Sequence, residues 1–148
     1  MATRILAPRV ENGCFGCGGA NARGMQLTFE QDDQRRRIVG RFQLGAEYQG
    51  GAGFIHGGIL ATLLDEAMGK VNRFREVLAV TAVLEVNYHR PVPVGAPITV
   101  EAFETRRSGR SLYHRGEIRN GAGQLLASGR GRFVVVDVEK FRKKLAIG

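Results

Sequence analysis

His56-Gly57-Gly58-Ile59-Leu60-Ala61-Thr62-Leu63-Leu64-Asp65-Glu66-Ala67-Met68-Gly69-Lys70-Val71 is the stretch from which the rest of the chain can be read. Ile59, Leu60, Leu63, Leu64, Ala67, Met68 and Val71 recur at three- and four-residue spacing, the period of a helix with a broad apolar face. Thr62, Asp65, Glu66 and Gly69 form a narrow stripe between them. The spacing predicts a buried helix from His56 to about Phe74. A carboxylate on such a helix is costly unless something satisfies or uses it. The two glycines at its start let backbone approach a ligand closely, and the free N–H groups and dipole there favour an oxyanion. An oxyanion site and a buried carboxylate on one element are parts that acyl transfer needs.

Helix geometry adds a constraint. Gly57 and Asp65 lie about 12 Å apart along a helix rising roughly 1.5 Å per residue. One carbonyl carbon cannot be served by both from the same chain. If both act on it, a second copy must pair antiparallel and bring its own helix start beside this Asp65. The reading therefore implies a homodimer with two equivalent interface sites, and two dimers can join as a homotetramer.

Outward from the helix, Met25–Gln31 and Ile38–Leu44 alternate like the strands of a hairpin, with Asp32-Asp33-Gln34 and the arginine run Arg35-Arg36-Arg37 at its turn. A loop, Gly45–Ile55, leads into the helix. Four strand-like stretches follow: Ala79–His89, Ile98–Arg106, Ser111–Asn120 and Gln124–Val136. Pro91, Pro93, Gly95 and Pro97, then Ser108-Gly109, then Asn120-Gly121-Ala122-Gly123 separate them, and Val138–Ala146 reads as a short terminal helix. The order predicts two strands, one long apolar helix and a four-stranded meander, so a sheet that wraps the helix. Within Ala79–His89, alternation puts Thr81, Val83, Glu85, Asn87 and His89 on one face and Val80, Ala82, Leu84, Val86 and Tyr88 on the other.

Composition sets the bounds. The chain has 148 residues, 43% hydrophobic, and a net charge of +8; that length makes one domain, 1–148, with a core that needs no disulfide or metal. No apolar run reaches the roughly 18 residues of a membrane span, and Met1–Val10 has no apolar signal region, so a cytoplasmic protein with no membrane partner is expected. The positive charge invites an anionic partner. There is no Trp, aromatics are 7%, and no nucleic-acid motif appears, so phosphates of a small ligand fit better than nucleic acid. Cys14-x-x-Cys17 offers two thiols, too few for a closed zinc site, with no His nearby, and reads first as a turn and second as a site completed by another chain; no metal is expected. Glu66 sits about 100° around the helix from Asp65 and pairs most simply with Lys70 four residues on. His114 reads as a surface residue. His56, at a helix start whose dipole disfavours its charged form, reads as a structural or substrate-orienting residue.

Taken together, Gly50-Gly51-Ala52-Gly53-Phe54-Ile55-His56-Gly57-Gly58, Leu64-Asp65-Glu66-Ala67-Met68-Gly69, Val80-Thr81-Ala82, Val86-Asn87-Tyr88 and Arg90-Pro91-Val92-Pro93 resemble the hotdog-fold acyl-CoA thioesterases of the PaaI type, including the mitochondrial acyl-CoA thioesterases of the C-terminal modulator protein group. With Asn12, Cys14, Cys17 and the later strands, the resemblance covers nearly the whole chain. It implies an α+β hotdog fold, an antiparallel sheet wrapped around one long central helix, and hydrolysis of an acyl-CoA to a carboxylic acid and coenzyme A without a cofactor. Under it, Asp65 is general base or nucleophile, Gly57 N–H the oxyanion donor from the opposite subunit, and Thr81 the hydroxyl that positions carboxylate or water. His56 stands with these at the catalytic centre. Gly58, Asn87, His89 and the turn Gly109-Arg110-Ser111 hold the coenzyme A substrate, with Arg90 and Arg107 as further candidates for its phosphates. Phe54, Met68, Phe74 and Val83 are candidates for lining an acyl tunnel. One departure stands out: several relatives carry Asn where this chain has Gly50, and Gln49 is the nearest substitute. That departure keeps a non-catalytic acyl-CoA-binding domain as the alternative. A third reading, dehydration of a hydroxyacyl thioester, needs a more central role for His56.

Overall fold

A computed structural model describes residues 3–147, with side chains through Lys144. Seven strands and two helices follow one another as β1 (Thr3–Leu6), β2 (Phe29–Asp32), β3 (Arg37–Gln43), α1 (Gly57–Val71), β4 (Ala79–Tyr88), β5 (Pro97–Ser108), β6 (Ser111–Asn120), β7 (Leu125–Val135) and α2 (Val138–Ile147). All seven strands form one antiparallel sheet in the order β1-β2-β3-β5-β6-β7-β4. This is the α+β hotdog fold, with α1 laid across the sheet.

The helix starts where the sequence places it. His56 is its N-cap, the ring Nδ1 accepting the Gly58 N–H at 2.8 Å and so satisfying one of the orphan donors of the first turn. After Val71 the chain tightens into a 3₁₀ turn over Asn72–Arg75 and stops at Glu76, whose φ of 54° is left-handed. Leu60, Leu63, Leu64, Ala67, Met68 and Val71 are buried, while Thr62, Asp65, Glu66 and Gly69 are only half-buried. The helix can approach closely because glycines floor the sheet beneath it. A Cβ at Gly116 would lie 2.9 Å from Leu64 Cδ2, and one at Gly129 would lie 3.3 Å from Met68 Cε. Dispersion and burial reward this contact, and any added methyl would push the layers apart.

Several expectations need correction. The last four strands are not a simple meander: β5, β6 and β7 are, but β4 closes onto β7 and forms the far edge. The connection from β4 carries the chain across to β5 beside β3, a placement that local patterning does not encode. The first strand of the hairpin is shorter than the alternation suggests. Met25 and Leu27 donate their N–H groups to Phe15 and Gly16 of the N-terminal loop, which takes them out of the ladder. β1, only four residues long and pairing with β2, carries too little alternation to be read.

His114 is not a surface residue. It is 1% exposed on the helix-facing side of β6, and its Nε2 lies 2.7 Å from Asn72 Oδ1 while Nδ1 has no partner among the described residues. Burial pushes its pKa down to about 4 from an ordinary 6.5. The unfolded chain takes up a proton as pH falls through 6.5 and the folded one does not until about 4, so folding loses stability across that window and no further below it. The loss amounts to about 3 kcal/mol at most. Denaturant unfolding between pH 7 and pH 4 should show His114→Gln losing less stability than the native chain; parallel profiles would contradict the assignment.

Candidate active site

Asp65 projects from the third turn of α1 and accepts a hydrogen bond from Thr81 Oγ1 at 2.9 Å. Burial holds its pKa above the ordinary carboxylate value; the Thr81 hydroxyl pulls it back down, and the Glu66 charge adds to the rise. The pair lies in a cleft of about 540 Å³ that Gly69, Val80 and Phe133 also line.

Thr81 reaches Asp65 because of a bulge. The register of β4 on β7 runs Thr81↔Phe133 and then Val83↔Arg132, leaving Ala82 as the extra residue. Phe133 is buried against the helix, so Thr81 faces the helix with it. Beyond the bulge, Leu84, Val86 and Tyr88 pair with Gly131, Gly129 and Ala127 and face the helix in turn. Val83, Glu85 and Asn87, and His89 after them, face away. The expected common face of Thr81, Asn87 and His89 is therefore broken in two, as an extra residue in a period-two strand requires.

At the other end of the helix, the Gly57 N–H donates to no group among the described residues, while its carbonyl accepts from Tyr88 Oη at 2.7 Å. Tyr88 was not singled out by its sequence, since strict alternation does not reveal that it shares a face with Thr81. His56 spends its Nδ1 on the Gly58 amide, which gives that ring a capping role. His89 Nε2 lies 3.0 Å from Ser128 Oγ on the outer face, and Asn87 is exposed there. Arg110 and Ser111 sit at the β5–β6 turn, where Gly109 takes a φ of 58°, and Ser111 Oγ accepts from Arg132 at 3.4 Å.

The site residues thus fall into two groups. Ser111 pairs with Val134, beside the end of β4 that holds Thr81; Asn87 pairs with Ser128. These positions on β7 are about 20 Å apart at roughly 3.3 Å per residue. One chain brings Asp65 and Thr81 to the end of the sheet that carries Arg110 and Ser111. His56, Gly57, Gly58, Asn87 and His89 gather at the opposite end.

Gly50 is exposed, and its backbone runs close to His56. A Cβ there would stand 3.0 Å from His56 Cα, and Gln49 Oε1 already accepts the Gly53 N–H at 3.3 Å. The Gln49 Nε2 donors have no partner among the described residues, and that side chain is exposed. The four candidate tunnel residues do not meet either: Met68 is buried against the sheet glycines, Val83 faces outward, Phe74 lies under the Arg36 guanidinium and Phe54 is exposed. Glu66 does not pair with Lys70. It accepts a hydrogen bond from the Cys14 thiol at 3.4 Å, and Lys70 Nζ sits 5.7 Å from the centre of the Phe29 ring. Burial, with Glu66 alongside, pushes the Cys17 thiol up to about 12.

Comparison with known proteins sets this geometry in context. The profile of the Thioesterase superfamily matches residues 52–127. Acyl-coenzyme A thioesterase THEM4 of Bos taurus is 30% identical over 127 residues, 85% of this chain and 52% of that protein. Its Rattus norvegicus counterpart is 33% identical over 90 residues, covering 61% and 39%. The chain thus spans about half the length, or less, of these curated relatives. Among solved structures, a thioesterase superfamily protein superposes with a TM-score of 0.77 at 33% identity, over 82% of this chain and 60% of that one. The PaaI protein of the E. coli phenylacetic acid degradation operon shares the fold, with a TM-score of 0.65 at 22% identity, over 69% and 74%.

The hydrogen bond from Thr81 offsets part of the rise that burial gives the Asp65 pKa. Thr81→Val removes it at nearly constant volume, so the Asp65 pKa rises further. If ionised Asp65 is the working form, the acid limb of the kcat/KM profile for a thioester substrate moves to higher pH in that variant. An unshifted limb would separate Thr81 from Asp65.

Proposed function

Since the chain belongs to the thioesterase superfamily, we propose that it is an acyl-CoA thioesterase whose active site is completed by a second copy of the chain. The observation that carries this reading is the Asp65–Thr81 pair at one end of α1 and the free Gly57 amide at the other. Neither half is sufficient alone. β4 is a sheet edge bonded only to β7, and Val83, Leu84 and Tyr88 are exposed along it. A bare strand edge with apolar side chains invites pairing with another strand. Two β4 edges joined about a two-fold axis run antiparallel, so the Tyr88 end of one meets the Thr81 end of the other. That arrangement sets the partner's helix start beside Asp65, and the partner's Asn87 and His89 near Arg110 and Ser111.

In this site Asp65 takes a proton from water as its oxygen attacks the thioester carbonyl. The carbonyl oxygen becomes an oxyanion and accepts the Gly57 N–H, which stabilises it more than the neutral carbonyl. Collapse breaks the C–S bond, and the thiolate leaves with the proton that Asp65 holds. Direct attack by the carboxylate, with a mixed anhydride then hydrolysed by water, uses the same groups. The raised pKa of Asp65 suits either role, because a more basic carboxylate is the better proton acceptor and nucleophile. In this reading Arg110 and Ser111 hold the coenzyme A phosphates through charge-assisted hydrogen bonds. Acyl-CoA binding without hydrolysis is a second reading, favoured by Gly50, which has no side chain of its own to polarise the carbonyl.

A panel of acyl-CoA substrates with thiol detection separates the two: release of free coenzyme A supports hydrolysis, and saturable binding with none supports the second. Asp65→Asn should lower kcat by about 10²–10⁴-fold while folding normally. A fully active Asp65→Ala would remove the mechanism. Arg110→Ala should raise KM roughly tenfold with kcat little changed, since phosphate binding is common to ground and transition states; equal loss in both would place Arg110 at the chemistry instead.

A further inference from the structure

The loop before β2 carries two thiols that the proposed hydrolysis does not use. Cys14 and Cys17 are both free and half-buried, and they close on Glu66 from α1. The two Sγ atoms and a Glu66 carboxylate oxygen all lie within 4.8 Å of one another. A tetrahedral zinc ion with Zn–S of about 2.3 Å and Zn–O of about 2.1 Å needs its ligand atoms roughly 3.5–3.8 Å apart. The observed Cys14 Sγ to Glu66 Oε1 separation is 3.4 Å. No other group of three His, Cys, Asp or Glu side chains converges this way among the described residues.

The loop is folded around this point. Asn12 Oδ1 accepts the Cys14 N–H at 2.8 Å, the Cys14 carbonyl accepts the Gly18 N–H at 2.9 Å, and Asn12 O accepts the Ala20 N–H at 2.9 Å. Close packing requires glycine at position 18, and at position 16 a side chain would displace Glu66. A Cβ at Gly18 would lie 2.2 Å from the Asn12 carbonyl oxygen, and one at Gly16 would lie 2.4 Å from Glu66 Cδ. Gly16 thus leaves the room through which Glu66 reaches both thiols. The fixed backbone holds the three donors together, as second-shell hydrogen bonds do in metal sites.

We propose that Cys14, Cys17 and Glu66 bind one zinc ion, which clamps the N-terminal loop onto α1 beside Asp65. Binding displaces the two thiol protons to solvent, and the ion holds two thiolates, one carboxylate and a water in its fourth position. The donor set favours zinc over magnesium or calcium, which take oxygen ligands. The sequence spacing alone hides this site, because its third ligand stands some fifty residues away on the helix.

The test uses the full chain, purified under reducing conditions, loaded with zinc chloride and passed into metal-free buffer. Elemental analysis should find one zinc per chain, and bound zinc should slow alkylation of both cysteines at least tenfold. Cys14→Ser/Cys17→Ser should retain none, and Glu66→Gln should bind zinc about 10–100-fold more weakly. Cobalt(II) in place of zinc should give a thiolate charge-transfer band in the native chain, a readout that requires no variant to fold. Substoichiometric zinc, unchanged alkylation, equal retention by the double variant or unaltered affinity in Glu66→Gln would each overturn the proposal. So would a Cys14–Cys17 disulfide that persists in the reduced, zinc-loaded chain. Metal content is read independently of hydrolysis, so failure here leaves the thioesterase reading untouched, and the reverse holds.

Discussion

The contact of Leu64 and Met68 with a floor of glycines is the constraint on which the rest depends. Gly116 and Gly129 put no side chain where those two residues sit, so α1 settles directly on β6 and β7. Burial then fixes both the depth and the rotation of the helix, because any turn about its axis would expose Leu63, Leu64 or Ala67, all fully buried. With rotation fixed, the polar stripe of Thr62, Asp65, Glu66 and Gly69 can point only away from the floor of β6 and β7. Asp65 meets Thr81 and Glu66 meets Cys14 as consequences of one packing decision.

Helix length then governs the chemistry. The rise from Gly57 to Asp65 separates the amide from the carboxylate by about 12 Å. Tyr88 holds the Gly57 carbonyl at one end of β4, and Thr81 holds Asp65 at the other. The strand that joins these ends is one of the two edges of the sheet. In the proposed dimer, a two-fold axis on this edge completes both half-sites. The charge state of the site follows from burial as well: Asp65 is made more basic by the packing that orients it, with Thr81 tempering the shift.

Much of this was legible in the sequence for definite reasons. Three- and four-residue spacing marked α1, and Asn120-Gly121 marked the β6–β7 turn, where Asn120 Oδ1 accepts the N–H groups of Ala122 and Gln124. Asp65 stood out because a carboxylate amid apolar neighbours needs a reason. What stayed hidden depended on tertiary contact. The extra residue at Ala82 turns Thr81 to the helix, yet Val-Thr-Ala-Val reads as ordinary alternation. The place of β4 at the far edge depends on a long-range pairing. His114 reads as polar and exposed until Asn72, forty-two residues away, offers its side chain. Glu66 looked like half of a helical ion pair because a loop fifty-two residues distant cannot be seen in the periodicity.

Complementation between two inactive chains tests the two-chain site most directly. Gly57→Pro deletes the N–H at the first helical position, where proline is tolerated. His56, with φ −59° and ψ 133°, already has the extended backbone that a following proline demands. Asp65→Ala deletes the carboxylate. Each variant alone should be nearly inactive. Unfolded and refolded together in equal amounts, they should form mixed dimers in which one of two sites pairs an intact Asp65 with an intact Gly57, restoring about a quarter of native activity. No recovery in a mixture shown to contain mixed dimers, or full activity in a monomer, would contradict the shared site.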